Sequence, residues 1–546
     1  MSSRGSGHAR LAVAGLDGAT FRLLDPLLAQ GAMPHLKKVI DRGVRAVLKS
    51  TVPTYTPPAW VSMITGVNPG RHGVFGFLDT TPQEPPQLAH SGLIDAAPMW
   101  LHLGPAGIRS GIFNVPISYP PMPVEGFMIS GGLAAGWADT EMPNFASDVD
   151  LGRLVTQLAG GSYPLDTPVS YENDWASPTV ATRIEGVQRM RHRVLTSLLE
   201  HNEVDFVFAV FEGPDRLQHL HYQYLVEGSS WYGRPEAGAH RDRAYSFFAE
   251  VDRAIGSLSE WAGPDGHVLV VSDHGFGPWE KTLNVNLLLE EWGYLRLPSI
   301  SRVTRLRSVA GTGQRIVRRV IPRRLLQTLK SRVGRDITWE QSRAFSSHVA
   351  EQGIHINVRG ELPRGCVDAG EAESIGTELK ERLLEFRDPA DGDLVVDRVV
   401  TREEAVRGPH SKRAPNLFPF CRDQRYELSD TLAASSVLTD HRDRPWGYHH
   451  EDGIFIGSGP GLLRGTFDFR LDIVDVMPIA LHLLGQAIPD DLDGRVPVDI
   501  LSGEAKARPI TTSGASPEHQ RREANPYSAE EEASIEESLR GLGYIE

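Results

Sequence analysis

Several aspartates and histidines stand where a predicted strand ends or a helix begins. Asp17 closes "LAVAGLD", Asp215 and His219 lie four residues apart in "EGPDRLQHLHY", and Asp273 and His274 are adjacent in "VLVVSDHGF". Aspartate and neutral histidine are ligands for zinc, manganese and similar divalent metals. The set predicts a site for two divalent ions, an arrangement that serves phosphoryl transfer when the ions lie about 4 Å apart.

Each of these stretches also has an ordinary structural explanation. An aspartate after a strand often caps a helix or a turn, and an Asp–His pair at i, i+4 is often a pair of helix-surface neighbours. In a fourth stretch, "WGYHHEDGIFIGSGPG", His449 and His450 are adjacent, so at most one of them is a candidate ligand. The combination of all four stretches favours the metal site.

Phosphoryl transfer also needs a hydroxyl or a water close to the metals, and "PTYTPPAWVSMITG" (53–66) offers hydroxyls at the start of a helix. The two prolines after Thr56 suit the first helical positions, which makes Thr56 the natural N-cap. The same helix end favours an anion beside the Thr56 hydroxyl. We therefore expect Thr56 to be the nucleophile, with a purely capping threonine as the alternative; Thr54 and Ser62 are less well placed.

The elements that carry these residues alternate between short apolar strands and amphipathic helices. "RLAVAGLD", "RSGIFNVP", "VDFVFAVF" and "GHVLVVSD" are typical of buried strands, and helical patterns separate them. This alternation predicts an α/β fold with a largely parallel sheet covered by helices on both faces. In such sheets, functional groups lie beyond the carboxyl ends of the strands, where the aspartates stand.

The pattern along the chain predicts an interrupted catalytic core. We expect residues 8–277 to form the first part of the core and residues 441–505 the last part. Between them, residues 278–440 read as an inserted cap region, and residues 506–546 as a polar tail with a short terminal helix.

Composition excludes several classes of protein. The chain has 546 residues and a formal net charge of −14, which argues against general nucleic-acid binding. Its two cysteines, Cys366 and Cys421, match no metal or disulfide framework. It has no apolar run of 18 residues and no signal-peptide pattern, so we expect a cytoplasmic protein.

Residues 301–335 differ from the rest of the chain because they contain eleven Arg and Lys and no acidic residue. The simplest interpretation is a solvated amphipathic surface. The alternatives are a lid that attracts a phosphorylated substrate and a patch that contacts anionic lipid headgroups.

The ordered motifs resemble the alkaline phosphatase superfamily. The matching elements are "GLDGAT", "TPPAWVSMITGVNPGRHGVFGF", "FNVPISYPP", "EGPDRLQH", "VVSDHGFGP" and "GYHHEDGIFIGSGPG", over about residues 8–505. Within the superfamily the sequence is most similar to the type I phosphodiesterase / nucleotide pyrophosphatase branch and its bacterial phosphohydrolase or phosphomutase relatives. The resemblance implies a three-layer α/β/α sandwich with an inserted cap.

The resemblance also implies two metal ions, usually zinc, with manganese as an alternative. It places Asp17, Thr56, Asp273 and His274 around one ion, and Asp215, His219 and His449 around the other. It implies that Thr56 is the nucleophile and forms a phospho-threonine that water then hydrolyses. His449 is preferred to His450 because the family pattern has a histidine three residues before an Asp-Gly pair.

One position departs from the nucleotide-cleaving relatives, which usually have an asparagine three residues after the nucleophile. Here that residue is Ala59, and Asn114 is the candidate that would bind the phosphoryl oxygens instead; its alternative is an ordinary turn residue. The sulfatase pattern C/S-x-P-S-R is absent from "TPPAW".

These observations predict a metal-dependent hydrolase that cleaves a phosphodiester or pyrophosphate bond in a small phosphorylated substrate. A phosphomonoesterase or phosphomutase with the same two-metal core is the alternative. A non-catalytic binding protein is disfavoured because every expected ligand and nucleophile position holds a suitable residue type.

Overall fold

A computed structural model describes residues 9–79, 82–83, 87–131, 137–139, 144–298, 337–347, 353–517, 519 and 524–541. The basic segment 301–335 lies outside the described residues, and its role stays a prediction.

The strands and helices alternate along much of the chain. The strands are β1 (Leu11–Leu16), β2 (Gly43–Lys49), β3 (Leu78–Asp79), β4 (Gln87–Leu88), β5 (Ser110–Val115), β6 (Gly126–Ser130), β7 (Trp137–Asp139), β8 (Ser162–Pro164), β9 (Phe206–Phe211), β10 (His267–Val271), β11 (Gly275–Pro278), β12 (Lys281–Asn284), β13 (Ala344–Phe345), β14 (His355–Ile356), β15 (Val396–Thr401), β16 (Leu417–Cys421), β17 (Tyr426–Ser429), β18 (Leu438–Asp440), β19 (Gly447–His450), β20 (Asp452–Ser458) and β21 (Gly465–Asp472). The helices are α1 (Phe21–Ala29), α2 (Pro34–Arg42), α3 (Thr56–Thr65), α4 (Pro69–His72), α5 (Met99–Leu103), α6 (Val149–Ala159), α7 (Tyr171–Asp174), α8 (Thr179–His201), α9 (Gly213–Leu225), α10 (Ala237–Ala262), α11 (Val285–Glu291), α12 (Ala369–Glu385), α13 (Arg402–Ala405), α14 (Val476–Leu483), α15 (Gly503–Ala507) and α16 (Ala529–Gly541).

Eight strands form the central sheet, in the order β21-β2-β20-β10-β1-β9-β5-β6. Strand β20 runs antiparallel to both of its neighbours, β10 and β2, whereas the other pairs are parallel. The prediction of an α/β fold with a mostly parallel central sheet is therefore confirmed.

The central strands are apolar on both faces because helices cover the sheet on both sides. Every residue of β1, β9 and β10 is buried, as a parallel sheet with two covered faces requires. Helices α2, α8 and α9 pack against the long helix α10, while α3 packs against α14. Trp60 of α3 lies directly over β1, because its ring is adjacent to Gly15.

A second sheet, of five strands, has the order β15-β16-β17-β12-β18. It has a hydrophobic core of its own, which includes Leu283, Leu288, Leu379 and Val396. All of its strands come from the region that the sequence pattern assigns to an insert, residues 278–440. The division of the chain into domains and the name "cap" remain predictions.

The C-terminal helix α16 packs against the main core. Its Ile535 and Leu539 are buried in that core, and the hydroxyl of the preceding Tyr527 donates to the Ala89 carbonyl at 3.2 Å. Among the described helices, none combines the length and the apolar character needed to cross a bilayer.

The packing of Trp60 on β1 predicts that Gly15→Ala lowers the thermal unfolding temperature. A Cβ at residue 15 would lie 2.5 Å from the Trp60 ring and 3.0 Å from Val210, and overpacking of this kind costs about 1–3 kcal/mol. Gly186→Ala in α8 is the control, because its Cβ would meet nothing within 4 Å and the substitution should stabilise the helix by about 0.5–1 kcal/mol. Melting curves that shift in the same direction for both variants would contradict this packing.

Candidate metal centre

One edge of the central sheet collects the predicted site residues. Asp17 follows β1, Asp273 follows β10, and Asp215 lies in the first turn of α9, directly after β9. Because these three strands are parallel neighbours, their carboxyl ends meet at this edge. Strand β20 is antiparallel and therefore begins at the same edge, where β19 carries His449.

A first group of ligand atoms surrounds the His274 imidazole, which is fully buried. Its Nε2 lies 3.3 Å from Thr56 Oγ1, 3.2 Å from Asp273 Oδ2 and 3.7 Å from Asp17 Oδ1. Its Nδ1 is 3.0 Å from the Gly275 carbonyl, to which it can donate. This bond selects the tautomer whose Nε2 carries a lone pair toward the other three residues.

A second group of ligand atoms surrounds one oxygen of Asp215. Its Oδ1 is 3.3 Å from His219 Nε2 and 3.5 Å from His449 Nε2, and the two imidazole nitrogens are 3.0 Å apart. The Nδ1 of His219 is 3.2 Å from the Gly447 carbonyl, so the same tautomer argument applies to His219.

These groups fit divalent cations. Asp17 Oδ1, Asp215 Oδ1 and Asp273 Oδ2 are buried and, among the described residues, have no hydrogen-bond donor. Two sets have ligand atoms within 4.8 Å of one another: Asp215 with His219 and His449, and Asp17 with Asp215 and His274. Where an imidazole nitrogen presents its lone pair to a carboxylate oxygen, the nitrogen and the oxygen repel each other, and a bound cation would turn this repulsion into coordination.

The pKa values of these carboxyl and imidazole groups reflect the same crowding of buried charge. Burial, followed by the charges of Asp273 and Asp215, raises the pKa of Asp17 well above its usual value. Burial raises the pKa of Asp273 to about 6 and lowers the pKa of His274 to about 4. Burial alone would raise the pKa of Asp215, but His219, His449 and Arg216 outweigh it and hold that pKa well below its usual value.

The start of helix α3 corrects one prediction, since Thr56 is not the N-cap. Tyr55 occupies the capping position without a side-chain bond, and Thr56 is the first helical residue. The two prolines after it bring no N–H group, and the Ala59 N–H donates to the Tyr55 carbonyl. The helix end therefore presents the Thr56 N–H rather than a row of donors, and the Thr56 hydroxyl faces His274 instead of capping the helix.

The other hydroxyls of this stretch have structural contacts. Thr54 Oγ1 donates to the Thr51 carbonyl at 3.2 Å, and Ser62 Oγ lies 2.9 Å from Nε2 of the buried His72. Both positions agree with the lower rank that the sequence assigns to Thr54 and Ser62.

Adjacent His449 and His450 point to opposite sides of β19. His450 Nδ1 accepts from the Asp452 N–H at 3.1 Å, and its Nε2 is 3.5 Å from Asp423. Because side chains alternate along a strand, His449 points toward Asp215 and His219, and His450 points away from them.

Asn114 lies near the end of β5, which is separated from β1 by β9. Its backbone has a φ of 56°, and its Oδ1 accepts from the Tyr163 hydroxyl at 2.7 Å. Its Nδ2 is buried with no acceptor in the described part of the chain. The structure does not join Asn114 to the two groups above, so its role in substrate binding remains a prediction.

Three contacts at the site were not predicted from the sequence. Trp60 Nε1 donates to Asp17 Oδ2 at 3.0 Å, and the Gly18 N–H donates to Asp273 Oδ1 at 3.0 Å. Arg216 donates to Asp215 Oδ2 at 2.8 Å. The spacing in the sequence could have placed both side chains near the site, because Trp60 lies four residues after Thr56 on the same helix and Arg216 is next to Asp215. Only the fold shows which carboxylate each of them contacts.

Comparisons with known proteins agree with this architecture. A family model described as "Type I phosphodiesterase / nucleotide pyrophosphatase" matches residues 11–433, whereas no curated protein matches the chain. Phosphonoacetate hydrolase from Sinorhizobium meliloti 1021, in complex with phosphonoformate, has 20% identity and a TM-score of 0.52 over 86% of this chain and 94% of that chain. Murine ectonucleotide pyrophosphatase / phosphodiesterase 5 has 15% identity and a TM-score of 0.45 over 90% of this chain and 100% of that chain.

The likeness to the bacterial hydrolase concerns the fold, and the family rests on the sequence match over most of the chain. The chain belongs to the type I phosphodiesterase / nucleotide pyrophosphatase family of the alkaline phosphatase superfamily, and it is a hydrolase that acts on phosphoester bonds.

Proposed function

We propose that the protein hydrolyses a phosphodiester or pyrophosphate bond through a phospho-threonine at Thr56, next to two divalent ions. The observation that carries this proposal is the Thr56 hydroxyl, which lies 3.3 Å from His274 Nε2 at the open end of a helix. A hydroxyl in this position can act as a nucleophile if nearby positive charge lowers its pKa.

The chemistry of the donor set supports zinc, with manganese as the alternative. Asp17, Thr56, Asp273 and His274 would hold one ion, and Asp215, His219 and His449 the other. Bound there, the ions would supply positive charge to the attacking and leaving oxygens.

The reaction proceeds in two displacements at phosphorus. Thr56 Oγ loses its proton to solvent and attacks the phosphorus, and the bond to the leaving oxygen breaks with its electron pair. Water then attacks the phosphorus of phospho-Thr56, which restores the hydroxyl and releases the phosphorylated product. The Thr56 N–H would stabilise a phosphoryl oxygen during both displacements, and we assign the same role to Asn114 Nδ2.

The family match supports a diester, and residue 59 argues against a specific nucleotide. A cleft beside His449 is lined by apolar side chains such as Phe418 and by the polar side chains of Gln424 and Glu427, and its volume of about 30 Å³ is close to that of one water molecule. Ala59 is buried and apolar where nucleotide-cleaving relatives have asparagine. Because Ala59 departs from the nucleotide-cleaving relatives, a phosphomonoesterase or phosphomutase remains the second candidate function.

The two-ion proposal predicts different metal contents for two adjacent variants. Purified wild type is expected to hold about two ions per chain after zinc loading and dialysis. His449→Ala is expected to hold about one, because the ion beside Asp215 and His219 loses a ligand. His450→Ala is the control and should still hold two. Elemental analysis by mass spectrometry measures both, and a wild-type content below about one ion would contradict a metal-dependent hydrolase.

Removal of the nucleophile is expected to abolish most of the activity. Thr56→Ala should lose at least about 10²-fold in turnover while it keeps at least one ion. Ser62→Ala, which removes a buried hydroxyl six residues along the same helix, should stay within about threefold of wild type. Steady-state assays with metal analysis in parallel decide the outcome, and near-normal turnover of Thr56→Ala would disprove the assignment.

The family match predicts a preference for diesters. The metal-loaded enzyme should hydrolyse bis(4-nitrophenyl) phosphate with a kcat/KM at least about tenfold above that for 4-nitrophenyl phosphate. Thr56→Ala supplies the background rate for both compounds. A preference for the monoester would overturn the diesterase proposal and favour the phosphomonoesterase.

A further inference from the structure

Arg216 divides the two oxygens of Asp215 between different partners. Its Nη1 donates to Asp215 Oδ2 at 2.8 Å, while Asp215 Oδ1 faces His219 at 3.3 Å and His449 at 3.5 Å. The Arg216 side chain is 7% exposed. This burial makes the contact a charge-assisted hydrogen bond with little competition from solvent.

A second carboxylate fixes the Arg216 guanidinium in place. Arg216 Nε is 3.2 Å from Asp166 Oδ1, and Nη2 is 3.1 Å from Asp166 Oδ2. The Thr167 N–H in turn donates to Asp166 Oδ1 at 2.7 Å. The planar guanidinium fork of arginine suits this bidentate contact with a carboxylate, and the single ammonium of lysine cannot reproduce it.

The same segment of chain also contacts His219. The Tyr171 ring stacks on the His219 imidazole with 4.7 Å between ring centroids, and the Tyr171 hydroxyl is 3.5 Å from Arg216 Nη1. Residues 166–171 therefore contact His219 directly and Asp215 through Arg216.

A second buried arginine lies one step farther from the site. Thr167 Oγ1 donates to Glu212 Oε1 at 2.7 Å, and Glu212 pairs with Arg191. Arg191 is 1% exposed and also donates to the Pro164 carbonyl at 2.9 Å. Arg191 thus shares the burial and the chemistry of Arg216, but its described contacts include none of the proposed metal ligands.

Two roles for Arg216 make opposite predictions about metal affinity. If Arg216 acted only through its positive charge, it would oppose a cation at Asp215, and its removal would tighten metal binding. If it acts by geometry, it keeps Asp215 from rotating and directs Oδ1 toward His219 and His449. Loss of the fork would then weaken metal binding even when the charge is retained.

We propose that Arg216, held by Asp166, is a positioning residue that restrains Asp215 so that Oδ1 alone faces the His219 and His449 side of the site. This inference rests on the proposed two-ion function. It adds a residue whose contribution is to metal affinity rather than to direct contact with substrate.

The test compares two lysine substitutions by zinc competition with a chromogenic chelator. Arg216→Lys keeps the charge and loses the fork, and it should bind zinc about 10- to 100-fold more weakly at one of the two sites. Arg191→Lys makes the same change one step away and should stay within about twofold of wild type. Thermal melts of both variants measure any general loss of stability. A loss of stability shared by both variants would not make their zinc affinities differ.

The outcomes distinguish this inference from the proposed function. A wild type that binds fewer than two zinc ions would contradict the two-ion function itself. A wild type with two sites and an Arg216→Lys variant of equal or tighter affinity would overturn the positioning role, as would equal weakening in Arg191→Lys. If Arg216→Lys does not fold, Arg216→Gln combined with Asp166→Asn removes one charge of each sign and is judged by the same criteria.

Discussion

The mutual repulsion of three buried carboxylates is the constraint on which the site depends. Asp17, Asp215 and Asp273 are each at most 2% exposed and meet at one edge of the central sheet. Burial of like charges without compensation is costly, and the raised pKa values of Asp17 and Asp273 express that cost. Divalent cations held by these carboxylates would relieve it, which supports the interpretation of this edge as a metal centre.

The fold satisfies this constraint through strand direction. The carboxyl ends of parallel β1, β9 and β10 meet at a common edge. Antiparallel β20 begins at the same edge, directly after β19, which carries His449. Helix α3 adds Thr56 without using its hydroxyl as a cap, because the helix starts one residue earlier than a capping threonine requires. The candidate site residues therefore lie within regular elements or directly beside them, which holds them more rigidly than long loops would.

The sequence alone predicted the sheet and much of the candidate site. Asp17 and Asp273 could be found because fully apolar strands precede them. His449 was chosen only through the family pattern, since no periodicity shows that β20 runs against its neighbours. The N-cap was wrong by one residue because consecutive prolines fit the second and third helical positions as well as the first and second. The role of Arg216 could not be predicted from the sequence, since its orientation toward Asp215 depends on Asp166, 50 residues earlier in the chain.

The five-stranded sheet is attached to the core beside the candidate metal centre. The five-stranded sheet lies between β11 and β19, and these two strands pair with Phe276 opposite His449. The region therefore leaves and rejoins the core at a single point beside the metal centre and does not interrupt the central sheet. Its strand β16 also contributes Phe418 to the cleft beside His449. Changes in this region can therefore reshape the cleft while the carboxylate edge keeps its geometry.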